Sequence, residues 1–287
     1  MSARLTMLLV AIVAASCGSP ASSSATQRGE VDVFYAGSLV NLMEKNVGPA
    51  FSRDSGYTFT GFAAGSKALA AEIKGKVRIA DVFISASPAV NTTLMGDGNG
   101  DWLSWYATFA RSSLVLGYNQ RSRFAAQLQT RPWHSVITEP GFRLGRTDPA
   151  TDPKGQFTVQ ALNEAAQRYQ DPALLQISRD SRSIFPEETL VGRLQAGQLD
   201  AGFFYTIEAV QARIPAVPLT PIDVSASYTV SVVNRSPHRE AALAFVDYLL
   251  GSKGLKLLTA QGLTLVQPPQ MSGGSLPEKL RGVIPAS

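Results

Sequence analysis

Two stretches of this chain repeat one local pattern, and that pattern limits the fold more than any other feature. Val31 to Leu42 reads VDVFYAGSLVNL. It is an apolar run, an Ala36-Gly37 turn, Ser38, then apolar residues at helical spacing (Leu39, Leu42, Met43). Tyr57 to Phe62 alternates as a strand, Ala63-Ala64-Gly65-Ser66 turns, and Lys67 to Lys74 carries high helix propensity. Successive strand–Gly–Ser–helix units build an open α/β sheet, where ligands bind beyond the carboxyl ends of the strands. A helix N-terminus at such a place presents unpaired N–H groups to an anion. Taken singly, Ser38 and Ser66 each read as an ordinary helix cap; the pairing of two units makes them candidate ligand donors.

Further along, Ala80 to Ser85 is a third strand, and Pro88 opens a short helix. Gly96 to Asp101 is a loop whose acidic spacing lacks the closing Glu of a calcium site. Ser112 to Tyr118 is a strand that carries the chain out of a first lobe into a second. There the βα pattern restarts. A short strand (Phe142 to Gly145) and a loop (Arg146 to Gly155) precede helices at Gln156–Tyr169 and Pro186–Ala196. Strands follow at Asp200–Tyr205 and Ile214–Leu219. Tyr228 to Val233 returns to the first lobe, helices 237–250 and 252–261 close it, and the Pro/Gly/Ser-rich tail after Pro268 wraps the surface. The expected division is 31–112 with 225–287 as one lobe and 113–224 as the other, with a hinged cleft between them.

Composition narrows the function. With 287 residues, 45% apolar and 17% charged, the chain is globular. A net charge of +4 without any long Lys/Arg run excludes a nucleic-acid stripe and favours an anionic ligand. Residues 1–16 read as a signal peptide: Arg4 precedes an apolar run, Leu5 to Ala15, too short to span a bilayer. The single cysteine, Cys17, follows small residues and precedes the polar tract Gly18 to Thr26, the layout of a lipoprotein processing site. Cys17 then becomes a lipidated N-terminus and 17–30 a flexible tether to the outer face of the cell membrane; the alternative is an ordinary signal peptide with a chance cysteine. His134 and His238 lack ligand-like spacing, so no metal centre is expected. No G-x-S-x-G elbow or Gly-Lys-Ser/Thr phosphate loop occurs, which leaves a secreted hydrolase as a minor alternative to a binding protein.

The segments YAGSLVNLMEK, FAAGSKALAAEI and ADVFISAS, followed by TDPATDPKG, QAGQLDAGFFYTIEAV and RSPHREAALAFVDYLLGSKGLKLL, resemble the solute-binding proteins of molybdate/tungstate ABC transporters. The resemblance covers nearly the whole mature chain. It implies a bilobal type II periplasmic-binding-protein fold, α/β with two mixed-sheet lobes. It also implies a monomeric, extracytoplasmic receptor without cofactor, which delivers a tetrahedral oxyanion to a permease and its ATPase. Two serine hydroxyls, a tyrosine hydroxyl and backbone N–H groups hold the ligand in that family. By position these are Ser38, Ser66 and Tyr205, with backbone donors near Lys154 and Glu188. One departure stands out. Archaeal-type members carry a glutamate just before the tyrosine that contacts the metal centre together with an aspartate. Phe204 occupies that place here, while Asp152 remains. The expectation is plain tetrahedral binding with no direct protein–metal ligand.

Several residues keep two readings. Asp152 is either the cap of the following helix or an acceptor in the cleft, and as an acceptor it makes phosphate a rival ligand. Tyr205 is a ligand donor or a core tyrosine, and Lys67 a counter-charge or a solvated lysine. Trp102, Trp105 and Trp133 read as core or hinge packing. Sulfate is the remaining alternative oxyanion.

Overall fold

The computed structural model describes residues 28–285. The signal segment, Cys17 and most of the tether lie outside the described residues. Nine strands follow in order: β1 (Glu30–Ala36), β2 (Thr58–Ala64), β3 (Val82–Ser85), β4 (Trp105–Tyr118), β5 (Leu144–Gly145), β6 (Ala201–Tyr205), β7 (Ala216–Pro218), β8 (Ser225–Val232) and β9 (Thr264–Gly273). β2, β1 and β3 pair in parallel in that spatial order. Val31, Val33, Phe34, Tyr35 and Ala36 are all buried, as a parallel strand covered on both faces requires.

β4 organises the rest. It is fourteen residues long, beginning earlier than the sequence reading placed it. Its first half pairs antiparallel with β8 and β9, and its second half with β6 and β7. The change of partner falls between Ser113, opposite Ser225, and Leu114, opposite Tyr205. β8 closes the first set by pairing antiparallel with β3, and β5 extends the second by pairing in parallel with β6. The carboxyl ends of β1, β2 and β6 each lead directly into a helix or a tight turn. Those three junctions carry Ser38, Ser66 and Tyr205.

Three local expectations need correction. The helix after β1 does not start on a capping serine. Gly37–Leu39 forms a 3-10 turn, and a π-helical stretch at Met43–Val47 interrupts the helix before Gly48–Ser55. The tail is not a surface wrap: β9 lies antiparallel along β4. Its prolines are tolerated because the ladder skips them, running from Thr108 opposite Gln270 to Ala110 opposite Leu265. The helix expected at Gln156 begins at Pro153, with Asp152 as its cap. Trp105 and Trp133 are buried core residues, whereas Trp102 is part-buried beneath the Arg235 guanidinium, 4.4 Å from its ring centre.

Packing separates neighbouring residues of β6. Phe203 and Tyr205 join the main core, while Phe204 packs into a second cluster with Leu190, Leu194, Leu199 and Ile214. A Cβ on Gly117 or Gly202 would come within 2.8 or 2.9 Å of the Phe204 ring, so two glycines leave the slot it fills. Phe204→Ala therefore costs about 3–5 kcal/mol of stability. Urea unfolding should show a lower midpoint, and a midpoint equal to wild type would refute a core role.

Candidate functional site

The first half of the site hangs from β1 and β2. Ser38 is buried in the turn after β1, and its hydroxyl lies 2.9 Å from the hydroxyl of Tyr228 on β8. Ser66 is fully buried at the first position of the Ser66–Lys74 helix, whose cap is Gly65. Its Oγ accepts a hydrogen bond from the Ala86 N–H at 3.1 Å, beyond the end of β3. Neither serine caps its own helix, so the structural reading of both as N-caps falls away. The free N–H groups of Lys67 and Ala68 do not face open space: both donate to the Thr151 carbonyl at 3.1 Å. Lys67 supplies no counter-charge either, because its Nζ donates to the Pro149 carbonyl at 2.9 Å.

The second half comes from the loop before the Pro153–Tyr169 helix, the start of the Glu187–Gln195 helix and the end of β6. Asp152 is buried, and its Oδ1 accepts from the Lys154 N–H at 2.9 Å. Its Oδ2 has no hydrogen-bond partner. The cap reading is met by one oxygen, which leaves the other free for a second role, with the Thr147 hydroxyl as a hydrogen-bonding neighbour of the carboxylate. Lys154 is fully buried; its Nζ donates to Glu208 Oε1 at 2.7 Å and lies 3.2 Å from Glu187 Oε1. Glu208 Oε2 accepts from the Tyr205 N–H at 2.8 Å. Tyr205 is fully buried with an unpartnered hydroxyl, and its ring meets that of Tyr228 edge-on at 6.1 Å. Glu187 is buried, its Oε1 held only by the longer ion pair to Lys154 and its Oε2 without a partner, and a Cβ on Gly37 would sit 2.6 Å from that Oε2. Its carboxyl group therefore presses against the backbone next to Ser38.

Electrostatics follow from burial. Desolvation works against the Lys154 charge, but Glu208, Glu187 and Asp152 outweigh it and hold the ammonium protonated well above its ordinary range. Burial, then the charge of Asp152, pushes Glu187 up to about 8, with Lys154 opposing. Burial also raises Asp152 against the pull of Lys154. Tyr205 and Tyr228 are pushed well above 10 by burial, so both remain neutral hydroxyls that can donate. Near neutral pH the cluster holds hydroxyl donors, one paired ammonium, and a Glu187–Asp152 pair that retains a proton.

Of the six residues expected from the sequence, Ser38, Ser66, Asp152, Lys154 and Tyr205 converge. Glu188 was expected for backbone N–H groups at the start of its helix, not for its side chain, which is exposed; the buried carboxyl there belongs to the preceding residue, Glu187. Two glutamates in succession on a helix point about 100° apart, and the sequence alone leaves that phase open. The Lys154 side chain is consumed by glutamates, and its N–H by Asp152. Phe204 lies on the opposite face of β6 from Tyr205. The expectation of plain tetrahedral binding rested on a phenylalanine standing at the ligand, and that ground is gone. Glu187, Glu208 and Tyr228 were missed. Glu208 alone left a signal, standing three residues after Tyr205 at capping-box spacing.

The parallel strands β2-β1-β3 and the parallel pair β5-β6, joined through antiparallel β8 and β4, deliver one buried polar cluster at the carboxyl ends of β1, β2 and β6. The chain belongs to the bacterial extracellular solute-binding protein family, matched over residues 31–264. It is 24% identical to the molybdate/tungstate-binding protein WtpA of Thermococcus kodakarensis, across 97% of this chain and 94% of that one. Among solved structures, the periplasmic molybdate-binding protein of Azotobacter vinelandii superposes with a TM-score of 0.66 at 19% identity, covering 83% of this chain and all of the other. The sulfate-binding protein SubI of Mycobacterium tuberculosis superposes at 0.64 and 16% identity, covering 84% and 88%. These two likenesses establish the periplasmic-binding-protein fold.

Two outcomes follow. Gly65 has ordinary extended geometry (φ −57°, ψ 132°), but a Cβ there would lie 2.6 Å from the Thr151 carbonyl and 3.1 Å from the Asp152 Cβ. Gly65→Ala should fold normally and oppose closure by about 1–3 kcal/mol, read as a larger radius of gyration in small-angle scattering. An unchanged radius and affinity would contradict the contact. The second concerns Glu187. A carboxyl raised in the folded state stabilises fully below its unfolded value, and that stability is lost as pH rises through about 8. Glu187→Gln should therefore gain on the ligand-free wild type as pH goes from 5 to 9, by on the order of 2–4 kcal/mol. Parallel melting curves for the two proteins across that range would count against it.

Proposed function

We propose that this chain is the extracytoplasmic receptor of an ABC importer for molybdate or tungstate, binding without catalysis and passing the oxyanion to a membrane permease driven by its ATPase. The observation that carries this reading is the mixed character of one buried cluster. Hydroxyl donors (Ser38, Ser66, Tyr205, Tyr228) stand beside carboxylate oxygens that the protein leaves outside its own hydrogen bonds (Asp152 Oδ2 and Glu187 Oε2). Donors alone suit any dianion. With one retained proton between two carboxyl groups, the pair still sets one negative charge against a fully deprotonated anion such as sulfate, and so favours a ligand that can use both oxygens. A Mo(VI) or W(VI) centre is such a ligand, because it accepts extra oxygen donors and expands from four- to six-coordinate. Asp152 and Glu187 would supply those oxygens while the serine and tyrosine hydroxyls hold the oxo groups. The similarity to WtpA supports the same ligand.

Hydrogen phosphate is the second reading, favoured by the same carboxylates, since its proton would meet Asp152 or Glu187. A hydrolase reading finds no support at the serines. Ser38 is bonded to Tyr228, while His134 stacks on Tyr169 at 3.6 Å and His238 is bonded to Asp81. The lobes are taken as 31–112 with 225–287, and 113–224; what supports this is the change of β4 partner beside Ser113 and Ser225. The receptor acts as a monomer, lipid-anchored through Cys17.

Titration of the mature chain with molybdate, tungstate, phosphate and sulfate, followed by Trp fluorescence and melting temperature, tests the assignment. Molybdate and tungstate should bind and sulfate should not; a response to phosphate alone would overturn the metal oxyanion, and silence toward all four would overturn the receptor. X-ray absorption of the bound metal should show six oxygen neighbours, falling to five in Glu187→Gln. Ser38→Ala and Ser66→Ala should each weaken binding by about 1–3 kcal/mol, by leaving an oxyanion oxygen short of a donor.

A further inference from the structure

At the far end of β1 from Ser38, three side chains from distant parts of the sequence come together. One ligand atom from each of Glu30, Asp32 and His238 lies within 4.8 Å of the others. Glu30 and Asp32 stand at the amino end of β1, and His238 just precedes the Arg239–Leu250 helix. Ser38 follows the carboxyl end of the same seven-residue strand, about 20 Å away at ordinary strand rise. This cluster is separate from the cleft.

The imidazole is prepared for a metal. Asp81 is fully buried and accepts four hydrogen bonds. One comes from the Asp32 N–H (2.8 Å), one from the His238 N–H (3.0 Å), one from the Ser236 hydroxyl (2.7 Å), and one involves His238 Nδ1 (2.9 Å). With Nδ1–H held by Asp81, the lone pair belongs to Nε2, which lies 3.8 Å from Glu30 Oε1. A carboxylate behind a histidine whose other nitrogen faces ligands is the second-shell arrangement of zinc sites. The charges agree. Three carboxylates surround one imidazole, and among the described residues neither Glu30 nor Asp32 forms an ion pair with a lysine or arginine.

We propose that Glu30, Asp32 and His238 form a divalent-cation site with the ligand set and geometry of Zn²⁺, completed by water. One imidazole and two carboxylates leave a coordination position open, and the side chains are partly exposed, so an ion can enter from solvent. The site ties the first strand of the domain, immediately after the tether, to the β3 entrance and the closing helix. It is independent of the oxyanion reading, because it shares no residue with the cleft. The sequence concealed it: His238 stands about 200 positions from Asp32, and only the β1–β3–β8 pairing unites them.

The test uses the mature chain, stripped with chelator and held in oxyanion-free buffer. Calorimetric titration with Zn²⁺ should show one equivalent bound with micromolar affinity or better, and the melting temperature should rise. Glu30→Gln, whose side chain is already 56% exposed, should fold normally and weaken Zn²⁺ binding at least tenfold. His238→Gln should do the same and alter the visible absorption of a Co²⁺-loaded sample. His134→Ala should change neither. Molybdate affinity measured on the same samples should stay at the wild-type value, which separates failure of this site from failure of the cleft assignment. Absence of Zn²⁺ uptake at millimolar metal, or uptake unchanged in both Glu30→Gln and His238→Gln, would overturn the proposal.

Discussion

The structure depends on one buried ammonium. Lys154 is fully buried, and a charge in that position requires compensation by groups held in place. Glu208 provides it, and its second oxygen fixes the Tyr205 backbone, so the orientation of a ligand hydroxyl follows from neutralising a lysine. Because Glu208 meets that charge at 2.7 Å, the second glutamate at 3.2 Å is surplus. Glu187 is thereby held by its longer ion pair alone, with Oε2 unpartnered, and Asp152 keeps one oxygen outside its helix cap. On the proposed reading, the cleft would favour a partner able to receive carboxylate oxygens.

Much of this was legible in the sequence where the evidence is local. The paired strand–Gly–Ser–helix units placed Ser38 and Ser66 at the ends of neighbouring parallel strands, and the alternation of β6 placed Tyr205. What remained hidden depended on phase or on distant pairing. Whether Glu187 or Glu188 faces inward turns on a single residue of helical rotation. Phe204 and Tyr205 are adjacent in sequence yet belong to different cores, because successive strand residues point to opposite faces. Tyr228 reaches Ser38 across 190 positions, a contact no window of sequence contains. The tail was misread because its prolines signal a loop, whereas a strand paired on one side with a break in its ladder tolerates them.

Closure of the cleft has its own energetics. The Thr151 carbonyl receives two N–H groups from the opposing helix, and Lys67 holds the Pro149 carbonyl. These contacts favour approach of the two halves without any ligand. A ligand shifts the balance only through interactions it makes in the closed form and not in the open one. The buried pair of carboxyl groups provides that differential term. They repel one another in a closed empty cleft, which burial expresses by holding a proton on Glu187. A bound metal centre would replace that proton and turn repulsion into attraction.

This division of labour explains how one fold serves different oxyanions. The hydroxyl donors recognise a shape and a charge that molybdate, tungstate, sulfate and phosphate share. Discrimination lies with the acceptors. An unpaired carboxylate costs little to a ligand that can coordinate or protonate it, and several kcal/mol to one that cannot. On the proposed reading, the choice of oxyanion would rest on Asp152 Oδ2 and Glu187, while Ser38 and Ser66 would set how tightly any suitable oxyanion is held.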